Sequence, residues 1–142
     1  MNPIKLILLT PTGSWQFNGG DLVVITTKHG SEGFMRHHVP TIVEVVPGPV
    51  RYRVPSPDSE GETWHAMVVS VGYAEIQADQ VTVVVNAAET PDQLDAERAA
   101  KALERVEKLY QNPSSTEIQR YHARHAMRRA RARLAFYKKY VK

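Results

Sequence analysis

Cysteine is absent from all 142 residues. That excludes a disulfide framework, a thiol nucleophile and any zinc site built on thiolates, and it fits a reducing compartment. Long apolar runs are missing too: nothing approaches the roughly 20 residues that a membrane helix requires. The opening MNPIKLILLTPTGSW carries too short an apolar stretch for a secretory signal and lacks the arginine-rich character of a transit peptide. No Walker phosphate loop, nucleophile elbow or HExxH helix occurs. With no converging acid–base or nucleophile constellation, an independent enzyme is not expected.

What is present is an ordinary globular composition, 42% hydrophobic and 23% charged, long enough for one domain with an appendage. The formal charge of +3 is unevenly spread. Residues 1–90 hold 5 Lys/Arg against 9 Asp/Glu, a local −4, whereas residues 91–142 hold 13 against 6, a local +7. A partner of the second part should be acidic: a carboxylate surface, a nucleotide or a nucleic acid.

From Pro3 to Ala88 the pattern is β. IKLILLT, DLVVITT, TIVEVV, VRYRV, WHAMVVSV, YAEI and VTVVV are short runs rich in β-branched residues, separated by turn chemistry such as PTGS, NGG, HGSEG, PGP and PSPDSEGE. Such short spacing without intervening helices predicts an antiparallel sandwich or flattened barrel. Gly72, alone inside a β run, reads as a bulge or a close-packing position. Trp15 and Trp64 are expected to be core or interface aromatics.

At Thr90 the pattern changes. Thr90-Pro91-Asp92-Gln93 is a capping box with proline at the first helical position. Ala96, Ala99, Leu103, Val106 and Tyr110 then recur at spacings of three and four. Gln111-Asn112-Pro113 stops that helix. Ser114-Ser115-Thr116-Glu117 reads as a second capping box, followed by a stripe of Ala123, Met127, Ala130, Leu134, Tyr137 and Val141. The chain is thus expected to be α+β: an N-terminal antiparallel β-sandwich over residues 1–88, then a C-terminal antiparallel two-helix hairpin over residues 89–142.

The stripes between the helices are thin and alanine-rich. Each rung buries much less than the ~1.5–3 kcal/mol of a fully buried leucine or phenylalanine, so docking should be marginal. At ~1.5 Å per residue the two helices would be about 30 Å and 39 Å long. An opened hairpin would carry its C-terminus tens of ångströms.

Folding the second helix back at Pro113 brings Arg98 level with Arg129. Arg133 lies one turn beyond Arg129, and Arg105 two turns from Arg98 on the same face. Four guanidinium groups converge on one edge, where an anion with several oxygens such as a polyphosphate would offset them. Charge alone is more often the mark of a solvated helix face, since RRARAR (128–133) is no specific motif. A second alternative is a small nucleic-acid-binding module. It would use the basic stretch from Ser114 to Lys142, with 9 Lys/Arg against one acid, on phosphates. The lack of an aromatic stacking platform in the β region counts against it.

QFNGG (16–20), GSEG (30–33), VPGPVRYR (46–53), VSVGYAEIQADQVTVVVNAAE (69–89) and LDAERA (94–99) resemble the epsilon subunit family of F-type ATP synthases over essentially the whole chain. The resemblance implies a β-sandwich that binds the gamma subunit of the central stalk and sits on the ring of c subunits. It also implies a mobile helical hairpin that restrains ATP hydrolysis. The chain would then be a non-catalytic rotor subunit coupling proton-driven rotation to ATP synthesis. It would be peripheral to the bacterial inner membrane on its cytoplasmic face, with no nucleic-acid partner.

In bacterial members of that family the folded hairpin can bind one ATP without hydrolysing it, as a regulatory ligand and not a required cofactor. The matching positions are Glu89, Leu94, Asp95, Arg98, Ala99, Arg105, Arg129 and Arg133. The resemblance puts the acids and the helix start at base and sugar, the arginines on phosphates, and the small Ala99 where the ligand needs room. The extended hairpin would lie against acidic surface on the alpha and beta subunits through Arg124, Arg128, Arg131 and Lys138. After GSEG the family continues to a PGHAP-like turn that faces the rotor ring. Here the chain reads FMRHHVP, with Arg36 and His37 where Pro and Gly are usual and with His38 and Pro40 still matching.

The remaining histidines give no metal site. His37-His38 are adjacent and His122 and His125 stand at i, i+3, but no third or fourth ligand accompanies either pair, so surface histidines are expected.

Overall fold

Alternation of side chains builds the first sheet: the strand β1 (Ile4–Thr10) buries Ile4, Leu6 and Leu8 while Lys5 and Ile7 turn toward the other face. It is followed by β2 (Gly13–Gly20), β3 (Leu22–Thr27), β4 (Gly30–Phe34), β5 (Thr41–Val45), β6 (Gly48–Pro55), β7 (Glu62–Val69), β8 (Gly72–Gln77), β9 (Gln80–Val85) and β10 (Ala88–Glu89). This is a computed structural model describing residues 3–58 and 60–141. It divides into two units, Met1–Glu89 and Thr90–Lys142.

The first unit is two five-stranded sheets, in the orders β2-β1-β9-β8-β5 and β10-β7-β6-β3-β4. Pairing is antiparallel, as expected, except that β1 runs parallel to β9, with Lys5 opposite Gln80 and Leu9 opposite Val84. β2 and β4 fall on segments whose glycines read as turns. β2 buries little except Gly20, and it is held by its pairing with β1 and by the half-buried Trp15 and Phe17. β4 contributes the buried Phe34 and pairs with β3.

The inner faces of both sheets form one core, with Leu6, Leu8, Val81 and Val83 from one sheet and Val23, Ile25, Tyr52 and Met67 from the other. Tyr52 is 1% exposed, yet its polar end is satisfied. Its hydroxyl donates to the Ile4 carbonyl at 2.6 Å and accepts from the Gly20 N–H at 2.7 Å. A Cβ on Gly20 would run into the Tyr52 ring, so this strand end must be glycine. Gly72 proves a close-packing position: a Cβ there would overlap the Val84 carbonyl. Arg53 grips Asp21 through two hydrogen bonds of 2.8 and 3.1 Å. Trp15 packs against the core, while the more exposed Trp64 lies under the guanidinium groups of Arg51 and Arg53, 5.3 and 5.9 Å from its ring centre.

The second unit is a helical hairpin of α1 (Ala96–Gln111) and α2 (Glu117–Tyr140). Both starts differ from the expected ones. Thr90 and Gln93 do bond reciprocally, the Thr90 N–H to the Gln93 side chain at 3.1 Å and the Gln93 N–H to the Thr90 carbonyl at 3.1 Å. They close a turn, however, and the helix begins later, with Asp95 as N-cap. The second capping box is Thr116 with Gln119, two residues beyond the expected Ser114. Ser115 is instead buried, and its hydroxyl donates to the Leu109 carbonyl at 2.6 Å, which ties the turn to the end of α1.

Small residues dominate the buried positions. Ala99 is enclosed on α1, and Ala123, Met127, Ala130 and Phe136 on α2. Phe136 was absent from the expected stripe, and Tyr110, which was in it, is 38% exposed. No described helix is long and apolar enough to cross a membrane.

Candidate functional site

The start of α1 answers why LDAERA has an acid three residues before an arginine. Asp95 adopts an extended backbone (φ −101°, ψ 100°), and its Oδ1 accepts the Arg98 N–H at 3.0 Å. This satisfies one of the helix's orphan donors. Four residues later Ala99 is 0% exposed, so its small side chain is enclosed by protein. Leu94 is buried at 8%. Helical spacing from Arg98 then sets Lys101, Ala102 and Arg105 along one face.

A groove of about 690 Å³ runs along that face, lined by Asp95, Glu97, Arg98, Lys101, Ala102, Arg105 and, from α2, Arg133. Four cations face two carboxylates, one of which caps the helix while the other, Glu97, pairs with Lys101 at 3.1 Å. The chemistry suits a multivalent anion: planar guanidinium groups offer paired donors to phosphate oxygens, from a helix whose N-terminal turn is itself positive.

Of the four arginines expected on one edge, the hairpin gathers Arg98, Arg105 and Arg133. Arg129 is exposed on α2 and is not part of the groove lining. A residue's place on the helix surface moves 100° per step, so Arg129 and Arg133, four apart, diverge by about 40°. Glu89 belongs to β10, in the first unit. Sequence reasoning missed Glu97, Lys101 and Ala102, although the i+3 and i+4 spacing from Arg98 pointed to the last two.

Along the exposed side of α2 lie Arg124, Arg128, Arg131 and Lys138. Arg131 Nη2 meets Glu107 Oε2 of α1 at 3.6 Å. A second depression, about 520 Å³, follows the start of α2 between Glu117, Ile118, Arg120, Tyr121 and Arg124. The Tyr121 ring stands edge-on to His122 and His125, with centroids 5.6 and 4.5 Å away. No group of three or more potential metal ligands occurs among the described residues.

In the first unit, Met35 to Pro40 form an exposed loop between β4 and β5. Met35, Val39 and the nearby Ile42 are 56%, 68% and 70% exposed, an apolar content that suits a covered surface. His38 stacks edge-on against the buried Phe34 at 4.9 Å, and its Nδ1 lies 2.8 Å from the Val39 carbonyl. His37, where the sequence resemblance placed glycine, has φ of +69°.

Comparison with known proteins accounts for both units. The family model "ATP synthase, Delta/Epsilon chain, beta-sandwich domain" matches residues 3–91, and "ATP synthase, Delta/Epsilon chain, long alpha-helix domain" matches residues 92–138. The ATP synthase epsilon chain of Shouchella clausii is 34% identical over 134 residues, covering 94% of each chain. That of Syntrophobacter fumaroxidans is 36% identical over 132 residues, covering 92% of each. Among solved structures, a chain of the Euglena gracilis mitochondrial ATP synthase superposes with a TM-score of 0.76 at 23% identity, over 95% of this chain and 82% of that one, and so shares the fold. Sandwich, hairpin and sequence relationship agree: the chain belongs to the delta/epsilon chain family of ATP synthases.

Proposed function

We propose that this chain, a central-stalk subunit of ATP synthase, is a non-catalytic regulator whose hairpin is held closed by ATP and restrains ATP hydrolysis when open. The β-sandwich binds the gamma subunit and meets the c-ring through the loop that carries His38 and Pro40. It works on the cytoplasmic face of a bacterial membrane, in keeping with its bacterial relatives. Opened, the hairpin lays Arg124, Arg128, Arg131 and Lys138 against acidic surface on the alpha and beta subunits.

The observation that carries the regulatory reading is the groove in which Arg98, Arg105 and Arg133 converge from two helices. A ligand bridging both helices favours the closed state by its difference in affinity for the two states, and only by that amount. In this reading Arg98, Arg105 and Arg133 hold the phosphates, with Arg129 at the margin. Asp95, at the start of α1, shapes the base and sugar end.

Calorimetric titration of the full chain with ATP and with Mg-ATP tests the site, beside Arg98→Ala and Arg133→Ala. Saturable heat that both substitutions weaken is expected; equal heats in all three proteins would sink the nucleotide site. Truncation after Glu89, assayed in the reconstituted ATPase, tests the brake separately. Relief of inhibition is expected, and hydrolysis as restrained as with the full chain would sink it.

A further inference from the structure

We propose that Asp79 is the positioning residue of the exposed Met35–Pro40 loop, fixing through the His37 amide the shape that loop presents to the rotor ring; this rests on the stalk reading above. Three residues other than glycine have positive φ among the described residues: His37 at +69°, Ala78 at +52° and Asp79 at +58°. They come from two different loops, and His37 and Asp79 meet. The Asp79 Oδ1 accepts the His37 N–H at 2.7 Å, across 42 positions of sequence.

Each side of this clasp is separately anchored. Ala78 and Asp79 form the two-residue connection between β8 and β9, in the left-handed conformations that such tight hairpins require and that Asn-Gly usually supplies. The Asp79 carbonyl accepts the Lys5 N–H at 2.9 Å, which pins the hairpin tip to β1. In the other loop, the His38 N–H reaches the Met35 carbonyl at 3.3 Å and closes a turn with His37 at its third position. A type II turn puts positive φ there and normally takes glycine.

Glycine would suit these positions better on conformational grounds alone. An aspartate at 79 supplies something glycine lacks, a carboxylate to hold the amide of the opposite turn. His37 needs only its backbone N–H for this contact, so the clasp acts on main chain and sets the path of the loop. The loop in turn carries Met35, Val39, His38 and Pro40, all exposed. The cost of ordering that surface is met before any partner arrives, which favours binding.

The test uses the full chain in three forms: wild type, Asp79→Gly and Asp79→Asn. Isotope-labelled protein reports the His37 amide by its NMR shift and hydrogen exchange. The same proteins are then returned to ATP synthase stripped of this subunit, in inverted membrane vesicles, and proton pumping is measured per ATP hydrolysed. Asp79→Gly should speed His37 exchange on the order of tenfold, lose coupled pumping, and keep Tm within about 3 °C, because glycine accepts the backbone conformation. Asp79→Asn retains an acceptor oxygen and should restore both readouts. Unchanged His37 exchange in Asp79→Gly overturns the clasp. Faster exchange with pumping intact overturns the positioning role, and a Tm fall above about 8 °C assigns Asp79 to fold stability instead. If the wild-type chain itself fails to restore pumping, the ring-facing role falls with the stalk reading, while the amide still decides whether the clasp exists.

Discussion

Glu107 on α1 and Arg131 on α2 approach to 3.6 Å, an ion pair that bridges the two helices of the hairpin. A cation proposed to grip an acidic partner in the open state is therefore engaged by an acid of its own chain in the closed one. The two uses exclude each other, so the pair sets a small threshold for opening. Its side chains are 57% and 41% exposed, which limits its worth to about 0.2–1 kcal/mol. Glu107→Gln should open the hairpin up to about fivefold more often and deepen inhibition of hydrolysis, by less at 1 M salt than at 0.05 M. Inhibition assays on the reconstituted enzyme check this; no difference from wild type at low salt would count against it.

The arginines should not contribute equally to nucleotide affinity. Arg98 and Arg133 line the groove, whereas Arg129 is exposed beside it. Losing a charge-assisted hydrogen bond costs about 1.5–3 kcal/mol, tenfold or more in Kd. Arg98→Ala and Arg133→Ala should show that loss in calorimetry, and Arg129→Ala less than about threefold by screened charge alone. Equal losses for all three would mean that the anion bridges further along α2.

Tyr52→Phe leaves the Gly20 N–H and the Ile4 carbonyl without their buried partner. About 1–3 kcal/mol of stability should be lost, with the fold retained, as measured by urea unfolding. Burial pushes the Tyr52 hydroxyl above its ordinary pKa of 10.0; the negative charge of Asp21 adds to the rise and the Gly20 hydrogen bond opposes it. The unfolded chain thus releases this proton near pH 10 and the folded chain only above that. The hydroxyl's contribution is complete below pH 10 and disappears as pH climbs through the folded pKa. Wild type should lose stability more steeply than Tyr52→Phe above pH 10.

Two glycines separate two causes of strain. Gly72 needs space, since a Cβ would overlap the Val84 carbonyl, a backbone atom that cannot step aside. Gly19 needs conformation: its φ is +82°, with nothing within 4 Å of where a Cβ would sit. Gly72→Ala should cost upward of about 3 kcal/mol or prevent folding, and Gly19→Ala about 1–2 kcal/mol. Thermal melts of the two variants check the order.

The hairpin was legible in the sequence because a helical period extends over many residues, so Ala99, Ala123, Met127 and Ala130 could be placed on buried faces from spacing alone. Its caps were less so. The pattern of a hydroxyl residue followed three later by an acid or amide occurs at Thr90 before α1, where it closes a turn, and at both Ser114 and Thr116 before α2; only backbone geometry selects Asp95 and Thr116. β2 and β4 were hidden because Gly13, Gly19, Gly20, Gly30 and Gly33 read as turns, while cross-strand pairing with β1 and β3 overrides that preference. The groove was half legible: Arg98, Arg105 and Arg133 were expected together, but the rotation of α2 that leaves Arg129 outside is a tertiary fact. The contact between Asp79 and His37 spans loops with no shared pattern, and no local signal marks it.

The parallel junction of β1 with β9 has a consequence for how the molecule is made. β1 is synthesised well before β9 and cannot complete its pairing until that later strand of the sandwich exists, and contacts so distant in sequence close slowly. The nascent chain must therefore keep an apolar N-terminal ribbon from aggregating until β9 arrives. Recruitment into the enzyme has to wait for that event.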